Sequence, residues 1–207
     1  MTRLQPPQTL RTAPAPLPDD AAALATLRIA LGALAVARQQ AHPAAMRQAL
    51  ADLAGCHTLL HDHAGAELLL QDALRWARAA GGVDSVVDLL CALCEAAARS
   101  ADAHDGHLHD TVHAPWADGA ADERLARDDA RDRARAHAFE ASALAGTVAD
   151  SGWEVQVLLR ISDVLDRCGD RDDAVLLQTR ALRLMSGAAQ GRPDPALLPG
   201  LGRLADV

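Results

Sequence analysis

Four histidines fall between positions 104 and 113, and histidine is the commonest metal ligand among protein side chains. The segment reads HDGHLHDTVH, which brings four imidazoles and two carboxylates within ten residues. Neutral imidazoles bind zinc, nickel or copper, and a flexible loop would let several rings reach one ion. The spacing matches no specific metal motif, and a solvated polar loop is the competing interpretation. Metal binding or sensing is therefore the alternative function, and its candidate ligands are His104, His107, His109 and His113.

Two further clusters of metal-ligating residue types are explained better by packing. Cys91 and Cys94 lie three residues apart within an apolar stretch. A redox pair would instead lie at a helix N-terminus, where the helix dipole lowers the thiol pKa. His57 and His61 are one helical turn apart, but the residue after His57 is Thr58, where a zinc-protease helix has Glu. We predict that both clusters are structural.

The sequence motifs of common enzyme classes are missing. There is no phosphate loop, no dinucleotide-binding glycine fingerprint and no Gly-x-Ser-x-Gly nucleophile elbow. There is also no Glu-x-x-His pair of the kind that builds di-iron sites in helical bundles. The segment 122–135 alternates acidic and basic residues, which predicts a salt-bridged, solvent-exposed helix. We therefore expect no enzymatic activity and no cofactor.

Charge and hydrophobic patterning limit the partners and the location. The formal net charge is −8, so a protein that neutralises a phosphate backbone is not expected and nucleic acid is not predicted as a partner. Residues 1–18 contain several Pro and no apolar run, unlike a signal peptide. Arg and Asp interrupt the Ala/Leu runs, so no membrane helix is expected. These features predict a cytoplasmic protein with no membrane partner.

The elements that must position these residues are predicted to be helices. Half of the 207 residues are hydrophobic, but only 2% are aromatic, and the Ala- and Leu-rich remainder favours closely packed helices over sheets. Residues 1–18 are expected to form a disordered Pro-rich tail. A helix over 19–41 follows it, and a helical hairpin over about 47–80 comes next. The turn at Gly81-Gly82 closes this hairpin.

The hairpin at 47–80 recurs near the C-terminus, over about 155–188. At a constant offset, Leu50, Leu53, Asp62, Ala66, Ala73 and Leu74 align with Leu158, Ile161, Asp170, Ala174, Ala181 and Leu182. The length of about 34 residues and the small residues at helix crossings resemble those of tetratricopeptide repeats. Residues that carry the resemblance include Leu50, Leu53, Ala54, Ala66 and Ala73 in the first copy, and Leu158, Ile161, Ser162, Gly169, Asp170, Ala174 and Ala181 in the last.

A middle repeat is predicted over 84–150, interrupted by an insertion at 103–121 that contains the His-rich loop 104–113. The helix at 19–41 would cap the stack, the single domain would cover 19–188, and 189–207 would form a C-terminal tail. The resemblance implies an all-α fold of about seven helices, in which antiparallel hairpins stack as a short right-handed superhelix.

The resemblance also implies a function. Tetratricopeptide proteins bind a peptide or partner helix on the concave face, which is lined by the first helix of each hairpin. The corresponding residues here are Gln48, Ala51, Asp88, Glu95, Gln156, Asp163 and Asp166. This set predicts a mildly acidic groove and a basic or amphipathic partner. We therefore expect a non-catalytic protein-interaction module, with a homodimer as a further alternative.

Overall fold

The structure is a computed structural model that describes residues 18–111 and 120–190. These residues form seven α-helices: α1 (Pro18–Gln40), α2 (Pro43–Leu59), α3 (His63–Ala80), α4 (Val83–Thr111), α5 (Ala120–Ala145), α6 (Ser151–Arg167) and α7 (Arg171–Gln190). Each helix packs against its neighbour in the chain, and α4 also contacts α6. The predicted all-α fold of about seven paired helices is confirmed. Most of the two predicted tails, 1–18 and 189–207, lies outside the described residues.

Local sequence chemistry sets the ends of the helices. The side chain of Asp62 accepts a hydrogen bond from the Gly65 amide at 2.9 Å and caps α3, and Asp150 caps α6 in the same way through Trp153 at 3.0 Å. Such caps satisfy amide groups that the first helical turn leaves unpaired. Gly81 ends α3 with a φ of 80°, a conformation that glycine adopts without steric cost.

The prediction of a loop from residue 104 is wrong for residues 104–111. These residues are helical and extend α4 to Thr111, so that His104 and His107 lie on a helix. The extension packs along α5, which supplies ion-pair partners for Asp105. Tertiary partners of this kind override a weak local helix preference. Residues 112–119 lie outside the described part of the chain.

The hydrophobic core is centred where α4 meets α5 and α6. Its largest fully buried side chains include Leu90 and Leu93 of α4 and Leu158, Ile161 and Leu165 of α6. The contribution of α5 consists mainly of small residues. Its buried strip is Ala130, Ala134, Ala138, Ala141 and Ala145, each with 0% exposure. Small side chains let helix axes approach closely, so this alanine strip holds α5 tightly against its neighbours.

Helix α1 is apolar on most of its surface and is covered on one side only. Ala30, Leu34 and Ala37 are buried, whereas Ile29, Leu31 and Val36 are exposed. Among the described residues, the stretch Ala22–Gln40 is long and apolar enough to cross a membrane, and most of it is not buried. The expectation that no stretch reaches this composition is therefore wrong. A signal sequence or a soluble core helix passes the same test, so the cytoplasmic location stays a prediction.

Candidate functional site

A groove of about 350 Å³ lies between α2 and α4, the first helices of two successive hairpins. Its floor is apolar or small and includes Ala51, Ala54, Leu70, Leu89 and Ala92. These positions follow three- and four-residue spacing on their helices, which places them on the face turned toward the groove. The groove is therefore an apolar channel with polar groups along its rim.

Four of the seven residues predicted for the partner groove line this cavity: Gln48, Ala51, Asp88 and Glu95. The other three, Gln156, Asp163 and Asp166, are exposed on α6 and are not among the lining residues. Helical spacing places Gln156 and Asp163 on the same face of α6 as Arg160, which does line the groove. Asp166 lies 3.6 Å from Arg171 and is engaged in a local ion pair.

The rim of the groove carries both signs of charge. Three guanidinium groups, of Arg47, Arg99 and Arg160, accompany the carboxylates of Asp88 and Glu95. The prediction of a mildly acidic groove is therefore wrong for this cavity. None of these arginines is among the predicted groove residues, which are acidic, amide or small side chains. The Glu95–Arg99 spacing of four residues is a signal that could have identified one of them.

Glu95 lies at the centre of the charged rim. It accepts a hydrogen bond from Arg160 Nε at 2.6 Å, and Arg99 lies 3.5 Å from its second oxygen. Burial lowers the pKa of Arg160, but the hydrogen bond and charge of Glu95 outweigh this effect and raise it. Arg47 instead donates to the hydroxyl of Ser85, which is a neutral acceptor. Two arginines thus share one carboxylate, and a third has a neutral partner.

A second cluster joins the extended end of α4 to the start of α5. His104 Nδ1 lies 2.9 Å from Oε1 of Glu123, and His107 Nδ1 lies 3.1 Å from the same oxygen. One ring nitrogen from each histidine and one carboxylate oxygen of Glu123 all lie within 4.8 Å of one another. The hydrogen bond with His104, followed by that with His107, lowers the pKa of Glu123. The structure thus brings two of the four predicted metal ligands together with a carboxylate that the sequence analysis did not include.

The structure does not describe the side chains of the other two predicted ligands. The side chain of His109 and the whole of His113 fall outside the described residues. The spacing of three residues between His104 and His107 is the signal for their proximity on a helix. Glu123 could not be identified in this way, because its position depends on how α5 packs against α4.

The histidine and cysteine clusters that were predicted to be structural take part in capping and packing. His57 Nδ1 lies 2.7 Å from Oδ2 of Asp62, the residue that caps α3. The hydrogen bond from the Gly65 amide, followed by that with His57, lowers the pKa of Asp62. Cys91 and Cys94 are buried within α4, and this burial raises their pKa values to about 11 and about 12. Both thiols are therefore protonated at neutral pH and pack as small hydrophobic groups.

The chain matches no protein-family model, and a search of curated proteins finds no match to it.

Proposed function

We propose that this protein is a non-catalytic interaction module that binds an amphipathic segment of another protein in the groove between α2 and α4. The observation that carries the proposal is the apolar floor bordered by charged side chains from α2, α4 and α6. Apolar floors supply binding free energy, and charged rims supply orientation and specificity. A tetratricopeptide-type architecture is part of the same proposal, supported by the paired packing of α2 with α3 and of α6 with α7.

The charges of the rim indicate the kind of segment that fits. Arg99 and Arg160 share Glu95, and Arg47 donates to the neutral hydroxyl of Ser85. A carboxylate on the bound segment would supply these guanidinium groups with a charged acceptor, which strengthens their hydrogen bonds. We therefore propose a segment with small apolar side chains on one face and at least one acidic residue, in place of the basic partner that an acidic groove would select.

Two substitutions would block the groove in different ways. Ala51→Phe fills the apolar floor, and Arg47→Glu reverses the charge at the rim without removing an ion pair from within the protein. Arg75→Glu is the matched control, since Arg75 is an exposed residue of α3 that does not line the groove. All three variants should retain the helical circular dichroism of the wild type, because none of Arg47, Ala51 and Arg75 is buried.

The experiment is affinity capture from an extract of the source cell, followed by identification of the retained proteins. We expect a partner that is retained by the wild type and Arg75→Glu and is reduced at least tenfold with Ala51→Phe and with Arg47→Glu. Recovery of the same partner in equal amounts by all four proteins would show that the groove is not the binding surface.

A further inference from the structure

We infer that His104, His107 and Glu123 form a binding site for one divalent transition-metal ion such as Zn²⁺. Two neighbouring imidazoles of α4 direct their Nδ1 atoms at the same carboxylate oxygen of α5. Two nitrogens and one carboxylate oxygen form a donor set typical of zinc and related ions, whereas Mg²⁺ and Ca²⁺ prefer sites made entirely of oxygen.

The distances within the cluster are close to those that a tetrahedral ion requires. With metal–ligand bonds of about 2.0–2.1 Å, neighbouring ligand atoms around tetrahedral zinc are separated by roughly 3.3 Å. The distances from Glu123 Oε1 to Nδ1 of His104 and of His107 are 2.9 and 3.1 Å. These two distances are roughly 0.2–0.4 Å shorter than tetrahedral zinc requires, a difference that small side-chain rotations can provide.

Proton balance also permits binding at neutral pH. In the metal-free cluster, each neutral ring can donate its Nδ1 proton to the carboxylate of Glu123. When the ion binds, each ring carries its proton on Nε2 and presents the Nδ1 lone pair to the metal, while Glu123 remains a carboxylate. The ion replaces two hydrogen bonds with three coordination bonds. Each ring releases its Nδ1 proton to water and takes up one on Nε2, so the net number of bound protons does not change.

The helices that carry the ligands are held in register by neighbouring ion pairs. Asp105, adjacent to His104, accepts hydrogen bonds from Arg127 at 3.1 Å and from Arg131 at 2.8 Å. Arg127 lies one helical turn after Glu123 on α5, so the ion pair and the proposed site share a face of that helix. A metal ion thus does not have to bring α4 and α5 together, which lowers the entropic cost of binding.

Three protein ligands leave one tetrahedral position to water or to another ligand. His107 is 72% exposed, so this position faces solvent and the site exchanges ions readily with the medium. Structural zinc sites normally have four protein ligands. The proposed site is therefore a reversible one that links α4 to α5 when the ion is present and is not required for folding.

The test is calorimetric titration of the full chain with Zn²⁺ alone at neutral pH, after any histidine tag has been removed. We expect one ion per chain. Titration with Co²⁺ should give the visible absorption of a site with nitrogen and oxygen ligands, without the charge-transfer band of a cobalt thiolate, because Cys91 and Cys94 are buried and protonated. Zn²⁺ should also raise the melting temperature, since it binds the folded chain preferentially.

Substitutions identify the ligands. His104→Gln, His107→Gln and Glu123→Gln should each weaken Zn²⁺ binding at least tenfold and remove its effect on the melting temperature. The matched controls are Glu140→Gln, which alters another carboxylate of α5, and His57→Gln, which alters a histidine that pairs with Asp62. Both controls should bind Zn²⁺ as the wild type does.

Two results would overturn the proposal. One is the absence of saturable Zn²⁺ binding to the wild type. The other is binding that survives His104→Gln and Glu123→Gln but is lost in His109→Gln or His113→Gln, because the ligands would then be different residues from the proposed three. His107 is exposed, so His107→Gln should not disturb the fold, and circular dichroism checks this. If the folded variant no longer binds Zn²⁺, the loss is due to the missing ligand.

Discussion

Glu67 of α3 accepts two hydrogen bonds from the guanidinium group of Arg133 on α5, from Nε at 2.7 Å and from a terminal nitrogen at 3.3 Å. The carboxylate is only 7% exposed, and the hydrogen bond to it is the largest cause of the raised pKa of Arg133. This pair connects the first hairpin to the long middle helix. A buried carboxylate that loses its partner stays desolvated. We therefore expect the Glu67–Arg133 pair to contribute more to stability than surface ion pairs do.

Replacement of Arg133 by alanine should lower the free energy of unfolding by about 2 kcal/mol, because it leaves the Glu67 carboxylate buried without its charged partner. This expected loss is smaller than the loss for a fully buried ion pair, because Arg133 is 35% exposed. Arg75→Ala is the matched control, since Arg75 is 75% exposed, and it should change stability by less than about 0.5 kcal/mol. Urea unfolding measures both, and equal effects of the two variants would contradict this prediction.

Two helical glycines should respond to alanine in opposite directions. A Cβ on Gly65 would overlap Oδ2 of Asp62 and lie 2.7 Å from Nδ1 of His57, whereas a Cβ on Gly55 meets nothing within 4 Å. Gly55→Ala should therefore stabilise the protein by about 0.5–1 kcal/mol through the smaller entropy of the unfolded chain. Gly65→Ala should destabilise it by about 1 kcal/mol, because the Asp62 cap is displaced. Thermal unfolding of both variants checks the signs, and stabilisation by Gly65→Ala would show that the cap tolerates the methyl group.

Stability should fall as the pH drops below the ordinary histidine pKa of 6.5. Burial lowers the pKa of His137, and the charges of Arg133 and Arg78 contribute in the same direction against the opposing effects of Glu67 and Glu140. The unfolded chain therefore takes up a proton at a higher pH than the folded chain does. Below the histidine pKa of the unfolded chain, protonation therefore favours unfolding. This loss of stability continues until the pH falls below the lowered pKa of His137 in the folded chain.

The measurement is the urea midpoint at about pH 7.5 and about pH 5.5, two values that bracket the ordinary histidine pKa. His137→Leu should reduce the difference between the two midpoints. Part of the difference should remain, because burial also lowers the pKa of His63. A wild-type midpoint that rises on acidification would contradict the assignment.

The cysteine thiols should resist modification as long as the protein is folded. Cys56, Cys91, Cys94 and Cys168 are all buried, and burial raises the pKa values of the last three. We expect a disulfide reagent to modify all four thiols quickly when urea unfolds the protein. In buffer, where the protein is folded, modification should be only as fast as unfolding. Ala44→Cys, at an exposed position of α2, should add one rapidly reacting thiol. Rapid modification of a native thiol would contradict this prediction and show that the region around that thiol opens locally.

Local signals in the sequence were sufficient to predict the helices and several of their ends. The helix end at Gly81 was predicted from residue type alone, because this glycine acts within one turn of its own helix. The extension of α4 could not be predicted in this way, because polar residues with weak helix preference are held there by partners on α5. The same reason applies to the candidate sites. Glu123 and the groove residue Arg160 reach their neighbours only through the packing of helices that are distant in sequence.

Sequence variation in α5 is restricted by the alanine strip from Ala130 to Ala145. The outer surface of this helix is rich in charged residues, where most substitutions change stability little. Each of the five strip positions has no exposed surface, so a larger side chain would push neighbouring helices apart, at a cost of about 1–3 kcal/mol. In a library of random variants, depletion should therefore concentrate at the smallest side chains of α5, every third or fourth codon, and at Arg133, while an exposed residue such as Asp132 varies.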